Sequence, residues 1–341
     1  MKSRLTDKEK LVLWGLAEYP DLKDNELSKK LGIKRRTFGA VKTKLKNNGL
    51  FSDLIVPDSS ALGCEILTVV YGTLNPLIKF ENRLDGAQMI TKCEEVVYAN
   101  STDREFFIIA ISKNFTEFRK KADELLRFYA QNKFLDDLTI VHFPFGITGY
   151  RFFGFSRVIN AVFGLKFECE KKGLHEAFGM VRLTKKEKKV LYALLKIPGA
   201  KISDISRITG ITAHTVSGVK KKLLEKKIME THKIPNFNIL NCELFALTHV
   251  KHKHGRGGDY VSQPMEVLRF DSGADMVSVS LFKNYTAYKD YYDRKLEYLR
   301  DNDLIDGEPK VLLFPIQKLR YVKDFSFAPL MKKVLKVDIE F

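Results

Sequence analysis

Cysteine is scarce: four in 341 residues, none in a CxxC pair. That excludes a disulfide-stapled secreted scaffold and argues for a reduced intracellular chain. Cys64 and Cys242 read as small buried apolar residues, and Cys93 and Cys169 have no counterparts. Long apolar runs are missing as well, so nothing approaches a membrane span. Lys2 and Arg4 lead into a charged amphipathic segment rather than a signal peptide. A soluble, cytoplasmic protein with no membrane partner is expected. Nucleophile elbows, Ser/His/Asp patterns and the GxxxxGK[ST] phosphate loop are absent too. His249, His252 and His254 form the one histidine cluster, ahead of Gly255-Arg256-Gly257-Gly258-Asp259. A metal would need three side chains to converge, and no cysteine or carboxylate lies nearby at ligand spacing, so a solvated basic loop is the plainer reading. No catalytic residue, metal or cofactor is expected, and the chain is read as not an enzyme.

What is present is a repeat. Residues 5–14, LTDKEKLVLW, return as LTKKEKKVLY at 183–192, and the match runs on at one offset. Pro20 meets Pro198, Thr37 meets Thr215, Leu45 meets Leu223 and Pro57 meets Pro235. Later segments match at a shorter offset: 105–118 resembles 275–288, and His142-Phe143-Pro144 answers Leu313-Phe314-Pro315. The chain is therefore two copies of one unit, the second having lost several residues in between.

Charge is distributed unevenly over the copies. The formal net charge is +16, with +7 in residues 1–50 and +10 in 182–233. Residues 51–181 carry −2 and 234–341 carry +1. Positive charge confined to two short segments is the footprint expected for contact with a phosphate backbone.

Those two segments read as helix-turn-helix. Thr6 followed by Glu9 is a capping box opening a helix to Glu18, which Pro20 ends. Asp24 caps a short helix that Gly32 closes, and a third helix runs from about Arg35 to Asn48. Its apolar positions Phe38, Val41 and Leu45 share one face. Arg35, Arg36, Ala40, Thr43, Lys44 and Asn47 are left outside, where a recognition helix meets a major groove. Leu50–Val56 then reads as the strand of a short wing. In the second copy Val216, Val219 and Leu223 keep the core role, while Thr212, His214, Thr215 and Ser217 replace the arginine pair. Base readout is expected from Arg35, Arg36 and Thr37 in one head and Thr212, His214 and Thr215 in the other. Lys29, Lys30, Lys34, Lys42, Lys44, Lys220, Lys221 and Lys222 are candidates for phosphate contact.

After each head the pattern changes to β. The first copy reads as strand Leu62–Tyr71, helix Ile78–Cys93, strands Val96–Asn100 and Phe106–Ser112, helix Thr116–Asn132 and strand Leu138–Phe143. The second reads as strands Leu244–Lys251, Glu266–Phe270, Met276–Leu281 and Lys310–Phe314, with a helix over Thr286–Arg300. Its first helix is eroded to a glycine-rich stretch over 252–264. Phe- and Leu-rich tails, Tyr150–Phe167 and Phe325–Val337, close the copies and are expected to pack on a neighbouring domain. The fold class is α+β: two tandem copies of a winged helix-turn-helix domain followed by a ferredoxin-like βαββαβ domain. The expected domains are 1–58, 59–178, 179–236 and 237–341.

That architecture resembles the Lrp/AsnC (feast-famine) transcription regulators of bacteria and archaea, over essentially the whole chain and twice. The resemblance implies a sequence-specific regulator bound to double-stranded DNA. It also implies companion domains that dimerise, here as an intramolecular pseudo-dimer that can pair again as a homodimer, and that can hold a small-molecule effector. Two alternatives stand beside it: a chromatin-type DNA-coating protein, and a tetrapyrrole enzyme, because the sirohaem decarboxylases resemble the same architecture. Such an enzyme would want its basic residues in a companion-domain cleft.

Overall fold

The computed structural model describes residues 5–170, 173–176, 179–253, 265–305 and 307–339. Helix and sheet are mixed throughout. Helices α1 (Asp7–Glu18), α2 (Asp24–Lys30) and α3 (Arg35–Asn47) precede strand β1 (Phe51–Pro57). The Thr6–Glu9 capping box forms: Glu9 N–H donates to Thr6 Oγ1 at 3.3 Å and Thr6 N–H to Glu9 Oε2 at 2.8 Å. Lys23, not Asp24, occupies the N-cap of α2, and its backbone N–H donates to Glu26. Gly32 takes φ +65°, the left-handed turn that lets α3 leave. Phe38 and Leu45 are wholly buried, with Val41 half-buried beside them.

The first companion segment comprises β2 (Ile66–Leu74), α4 (Leu84–Lys92), β3 (Val96–Ser101), β4 (Glu105–Ser112), α5 (Phe115–Gln131) and β5 (Leu135–Pro144). The first helix is shorter than its sequence suggests, because Phe80–Arg83 forms a 3-10 turn ahead of it. A tail follows as β6 (Gly149–Phe152) and α6 (Phe155–Phe163). The second copy repeats this as α7 (Lys185–Lys196), α8 (Ile202–Thr209), α9 (Ala213–Glu225) and β7 (Met229–Pro235). Then come β8 (Leu244–Lys251), β9 (Glu266–Asp271), β10 (Asp275–Phe282), α10 (Tyr285–Asp301), β11 (Lys310–Pro315), β12 (Arg320–Lys323) and α11 (Ala328–Leu335). The offset between copies is still 178 at β2 and β8 and has dropped to 170 at β3 and β9. The missing residues therefore fall where α4 stands in the first copy. The eroded stretch itself lies outside the described residues from His254 to Pro264.

Packing divides the chain into two compact units, each gathered from three stretches. One contains Met1–Leu54, Tyr150–His175 and Thr231–Gln317; the other Ile55–Gly149, Glu176–Glu230 and Lys318–Phe341. In unit 1 the sheet order is β11-β8-β10-β9-β6. Tail strand β6 of the first copy thus extends the sheet of the second. Helix α6 packs on α1, where Phe167 stacks on Trp14 at 4.5 Å. In unit 2 the order is β12-β3-β4-β2-β5, so the second copy's tail edges the first copy's sheet. There α11 packs on α7, and Phe325 stacks on Tyr98 at 4.0 Å. The expected packing role of the tails takes this crossed form.

The strand read at Leu50–Val56 forms as β1. β1 forms no hairpin within its own copy; it pairs with β7 in a two-stranded sheet. Asn236 N–H donates to Leu50 O in unit 1, and Asp58 N–H to Ile228 O in unit 2. A lone strand has unpaired N–H and C=O groups, and the duplicated strand satisfies them.

Candidate functional site

In unit 1 the layer between α10 and the sheet is charged where its counterpart in unit 2 is apolar. Register puts Arg269 opposite Ser278 and Glu266 opposite Ser280 across a bulge between Val279 and Ser280. At the repeat offset these positions correspond to Ala99, Ile108, Val96 and Ala110, and Lys295 on α10 corresponds to Leu125 on α5. Glu266, Arg269, Asp271, Ser278 and Lys295 are all at most 4 % exposed.

The bonding within this layer is partly specified. Arg151 on β6 donates to Glu266 Oε1, in a pair whose side chains are 10 % and 0 % exposed. Arg269 donates to Asp271 Oδ2 at 2.7 Å, and Asp271 Oδ1 accepts the Gly273 N–H at 3.0 Å. Lys295 Nζ donates to Ser278 Oγ at 3.3 Å. Glu266 Oε2 and Arg151 Nε are buried with no hydrogen-bond partner among the described residues. Burial lowers the Arg151 guanidinium against the attraction of Glu266. Burial likewise brings the Lys295 ammonium down to about 8, with Glu266 pulling the other way and Arg269 reinforcing the fall. Buried charge of this density costs stability unless a ligand or a reaction uses it.

A cavity of about 490 Å³ opens on this layer. Its walls include Lys283, Asp290, Tyr291, Arg294 and Lys295 on the polar side and Val162 and Phe282 on the apolar side. A basic, partly desolvated recess of this kind binds carboxylates, and a lysine titrating near 8 can exchange a proton at neutral pH.

The residues singled out for nucleic-acid contact lie on the two sets of three helices. In unit 1, Lys29, Lys30, Lys34, Arg35, Arg36, Ala40, Thr43 and Lys44 are exposed and Thr37 half-buried. Arg35, Arg36, Ala40 and Thr43 share the free side of α3. Lys44, however, is held 2.7 Å from Glu9, Lys42 lies 2.5 Å from Asp24, and the Lys30 Nζ sits 3.9 Å over the Tyr19 ring. In unit 2, Thr212, His214, Ser217, Lys221 and Lys222 are exposed, with Thr215 and Lys220 half-buried. Thr212 and Thr215 are engaged in the α9 cap, their hydroxyls 2.9 Å apart, and Lys222 pairs with Glu187 as Lys44 does with Glu9. Hydrogen bonds from the lysines hold Glu9 and Glu187 below the usual carboxylate range.

His249 is buried and its Nε2 lies 2.7 Å from Asp275. Desolvation keeps its pKa below the ordinary histidine value in spite of that carboxylate. His254 lies outside the described residues; among the described residues no cluster of His, Cys, Asp and Glu could hold a metal. All four thiols are free, and burial pushes Cys64 and Cys242 up to about 12. Among the described residues no helix is long and apolar enough to cross a membrane.

No protein-family model matches the chain, and no curated protein matches it. Solved structures do. The siroheme decarboxylase NirDL covers 96 % of this chain and 98 % of its own, at 11 % identity and a TM-score of 0.51. The same enzyme in complex with an iron-uroporphyrin III analogue covers 97 % and 99 %, again at 11 % identity and 0.51. An AsnC family transcriptional regulator from Agrobacterium tumefaciens covers 40 % of this chain and 89 % of its own, at 15 % identity. Its TM-score of 0.34 carries no argument. The reading of the chain as not an enzyme is thereby corrected, since nearly its whole length has the fold of an enzyme. The charged layer is also invisible to net-charge counting, because Arg151, Arg269 and Lys295 are largely offset by Glu266 and Asp271 in a sum. The chain shares the full-length fold of a siroheme decarboxylase.

Proposed function

We propose that the chain is a decarboxylase of an aromatic polycarboxylate of the tetrapyrrole type, working in the charged layer of unit 1. Lys295 carries this reading: a buried ammonium held near 8, on the wall of a recess that also presents Lys283 and Arg294. Arg151, Arg269 and Lys295 stand in the layer beside Glu266 and Asp271, and Lys295, Lys283 and Arg294 on the recess wall supply the positive charge that attracts a substrate carboxylate. Lys283 and Arg294 bind further carboxylates at the rim. Phe282 and Val162 strip water from the reacting group. The bond between the carboxyl carbon and its neighbour breaks, carbon dioxide leaves, and the electron pair delocalises into the aromatic ring. The Lys295 ammonium then protonates that carbon, leaving a methyl group, and water reprotonates the amine. The solved enzyme of this fold is described as a siroheme decarboxylase and was seen with an iron-uroporphyrin analogue, so the same substrate class is assigned here.

The test is spectroscopic, then chemical. Iron-uroporphyrin III should shift its absorbance saturably on titration with the protein, and sirohaem should lose carbon dioxide stepwise by mass spectrometry. Lys295→Met should bind but not turn over. Failure of wild-type protein to bind either tetrapyrrole defeats the reading.

A second reading rests on a separate observation, the +7 and +10 of the helical segments and the exposed Arg35-Arg36 face of α3. In it residues 1–58 and 179–236 are winged helix-turn-helix domains. In the same reading 59–178 and 237–341 are ferredoxin-like platforms for a pseudo-dimer, which the sheet order β3-β4-β2-β5 and its equivalent in the second copy support. Double-stranded DNA would be the partner, contacted by Arg35, Arg36, Thr37, His214, Ser217 and the neighbouring lysines. Fluorescence anisotropy with upstream genomic fragments against random DNA, at two salt concentrations, tests it.

A further inference from the structure

The first copy's companion segment holds a different kind of site. Between α4, α5 and the sheet of unit 2 lies an apolar cavity of about 70 Å³, and against it a larger one of about 470 Å³. The two share Val70, Ile108, Leu125 and Leu126 in their walls, so they adjoin as the two parts of a slot, the larger part also walled by Lys92, Glu94, Glu95, Lys121 and Glu124. Gly86 gives the slot its shape: a Cβ there would stand 2.8 Å from the Tyr129 ring, so only glycine lets that ring lie against α4.

The inner end is not apolar. Arg83, just ahead of α4, lines the smaller cavity and is 4 % exposed. Its Nη2 donates to Asp103 O at 3.0 Å, while Nε and Nη1 have no hydrogen-bond partner among the described residues. Burial lowers its pKa, against the pull of Asp103. Asn100, 1 % exposed in the same wall, donates to the Tyr98 hydroxyl but leaves its own Oδ1 without a donor. A guanidinium at the end of a hydrophobic slot, with two idle donors, is costly in an empty protein and apt for an anion carrying an apolar chain.

We propose that this slot binds an aliphatic carboxylate, its carboxyl group on Arg83 Nε and Nη1 and its chain laid over Val70, Ile108, Leu125 and Leu126. The smaller cavity takes the head and first carbons, and the larger one the rest of a medium-length chain. The head requires a formal negative charge, so alcohols and amines of equal length are rejected. The site is separate from the charged layer of unit 1 and does not depend on the reaction assigned there.

The experiment is calorimetric titration of the whole chain with octanoate, octanol and octylammonium. Octanoate should bind saturably at one per chain, and the other two at least tenfold more weakly. Arg83→Leu should lose octanoate binding by tenfold or more while keeping its unfolding temperature. Should that variant misfold, Ala87→Trp, which fills the slot from α4, should exclude octanoate with Arg83 intact. Lys295→Met should bind octanoate as the wild type does. Non-saturable binding of octanoate, equal affinity in Arg83→Leu or Ala87→Trp, or loss of binding in Lys295→Met would each overturn the proposal.

Discussion

Replacing Lys295 by methionine should make the protein more stable at neutral pH. Bringing the ammonium from 10.5 to about 8 costs its charged form about 3 kcal/mol on folding. Methionine fills a similar volume without that cost. One loss offsets the gain: Ser278 forfeits the Lys295 hydrogen bond, about 1 kcal/mol, while the attraction of Glu266 is already contained in the net shift. A net gain of about 2 kcal/mol at pH 7 remains. The pH dependence has a definite sign. Between about 8 and 10.5 the unfolded chain holds a proton that the native lysine has released, so the wild type gains stability as pH rises through that window. The variant has nothing there to titrate. Its advantage is therefore full below pH 8 and fades towards pH 10. Trp14, the one tryptophan, lies in unit 1 and stacks on Phe167, so its fluorescence follows urea unfolding of the relevant unit. A Lys295→Met variant less stable than wild type at pH 7, or an advantage unchanged at pH 10, would refute a strained, functional lysine in favour of a structural ion pair.

Other outcomes follow from geometry already described. Thr6→Ala and Thr184→Ala each remove one side of a capping box and should cost about 1 kcal/mol of local stability in thermal or denaturant melts. Glu9 and Glu187 have lowered pKa values, so their ion pairs are fully stabilising above the ordinary 4.5 and are lost as pH falls through the folded value. Acid titration by circular dichroism should show helix loss there, and Glu9→Gln should flatten it. Gly72→Ala places a Cβ 2.0 Å from the Asp137 carbonyl oxygen and should destabilise the β2–β5 pairing by about 1–3 kcal/mol, read as a lowered unfolding midpoint. Arg35→Ala with Arg36→Ala should weaken specific DNA binding by about 1–3 kcal/mol for each base edge the arginines read, with wild-type anisotropy curves counting against the recognition face.

Local signals carried far into the structure. The capping box at Thr6 and the proline at 20 bound α1, and the apolar run opening 244–251 is the strand β8, because caps and short apolar runs act over a few residues. Pairings between copies left no such mark. Nothing near residue 149 says that β6 will join a strand more than a hundred residues later, and nothing near 51 says that β1 will pair with β7. The charged layer was legible in another way that composition concealed. Aligned at offset 170, Ala99 answers Arg269, Ile108 answers Ser278 and Leu125 answers Lys295. A position that is apolar in one copy and ionic in the other has left the apolar core that the two copies otherwise share. Segment sums average that contrast away, so net charge favours DNA where residue-by-residue alignment favours an enzyme.

The crossed tails also dictate how the chain can come off the ribosome. Unit 1 needs residues as late as Gln317, although it begins at Met1, and unit 2 needs the stretch from Lys318 onward to edge its sheet. Neither unit is complete until the last strands of the second copy have emerged. The first copy's sheet must wait with one edge bare while the second copy is translated, an interval in which that edge is open to pairing with a neighbouring nascent chain.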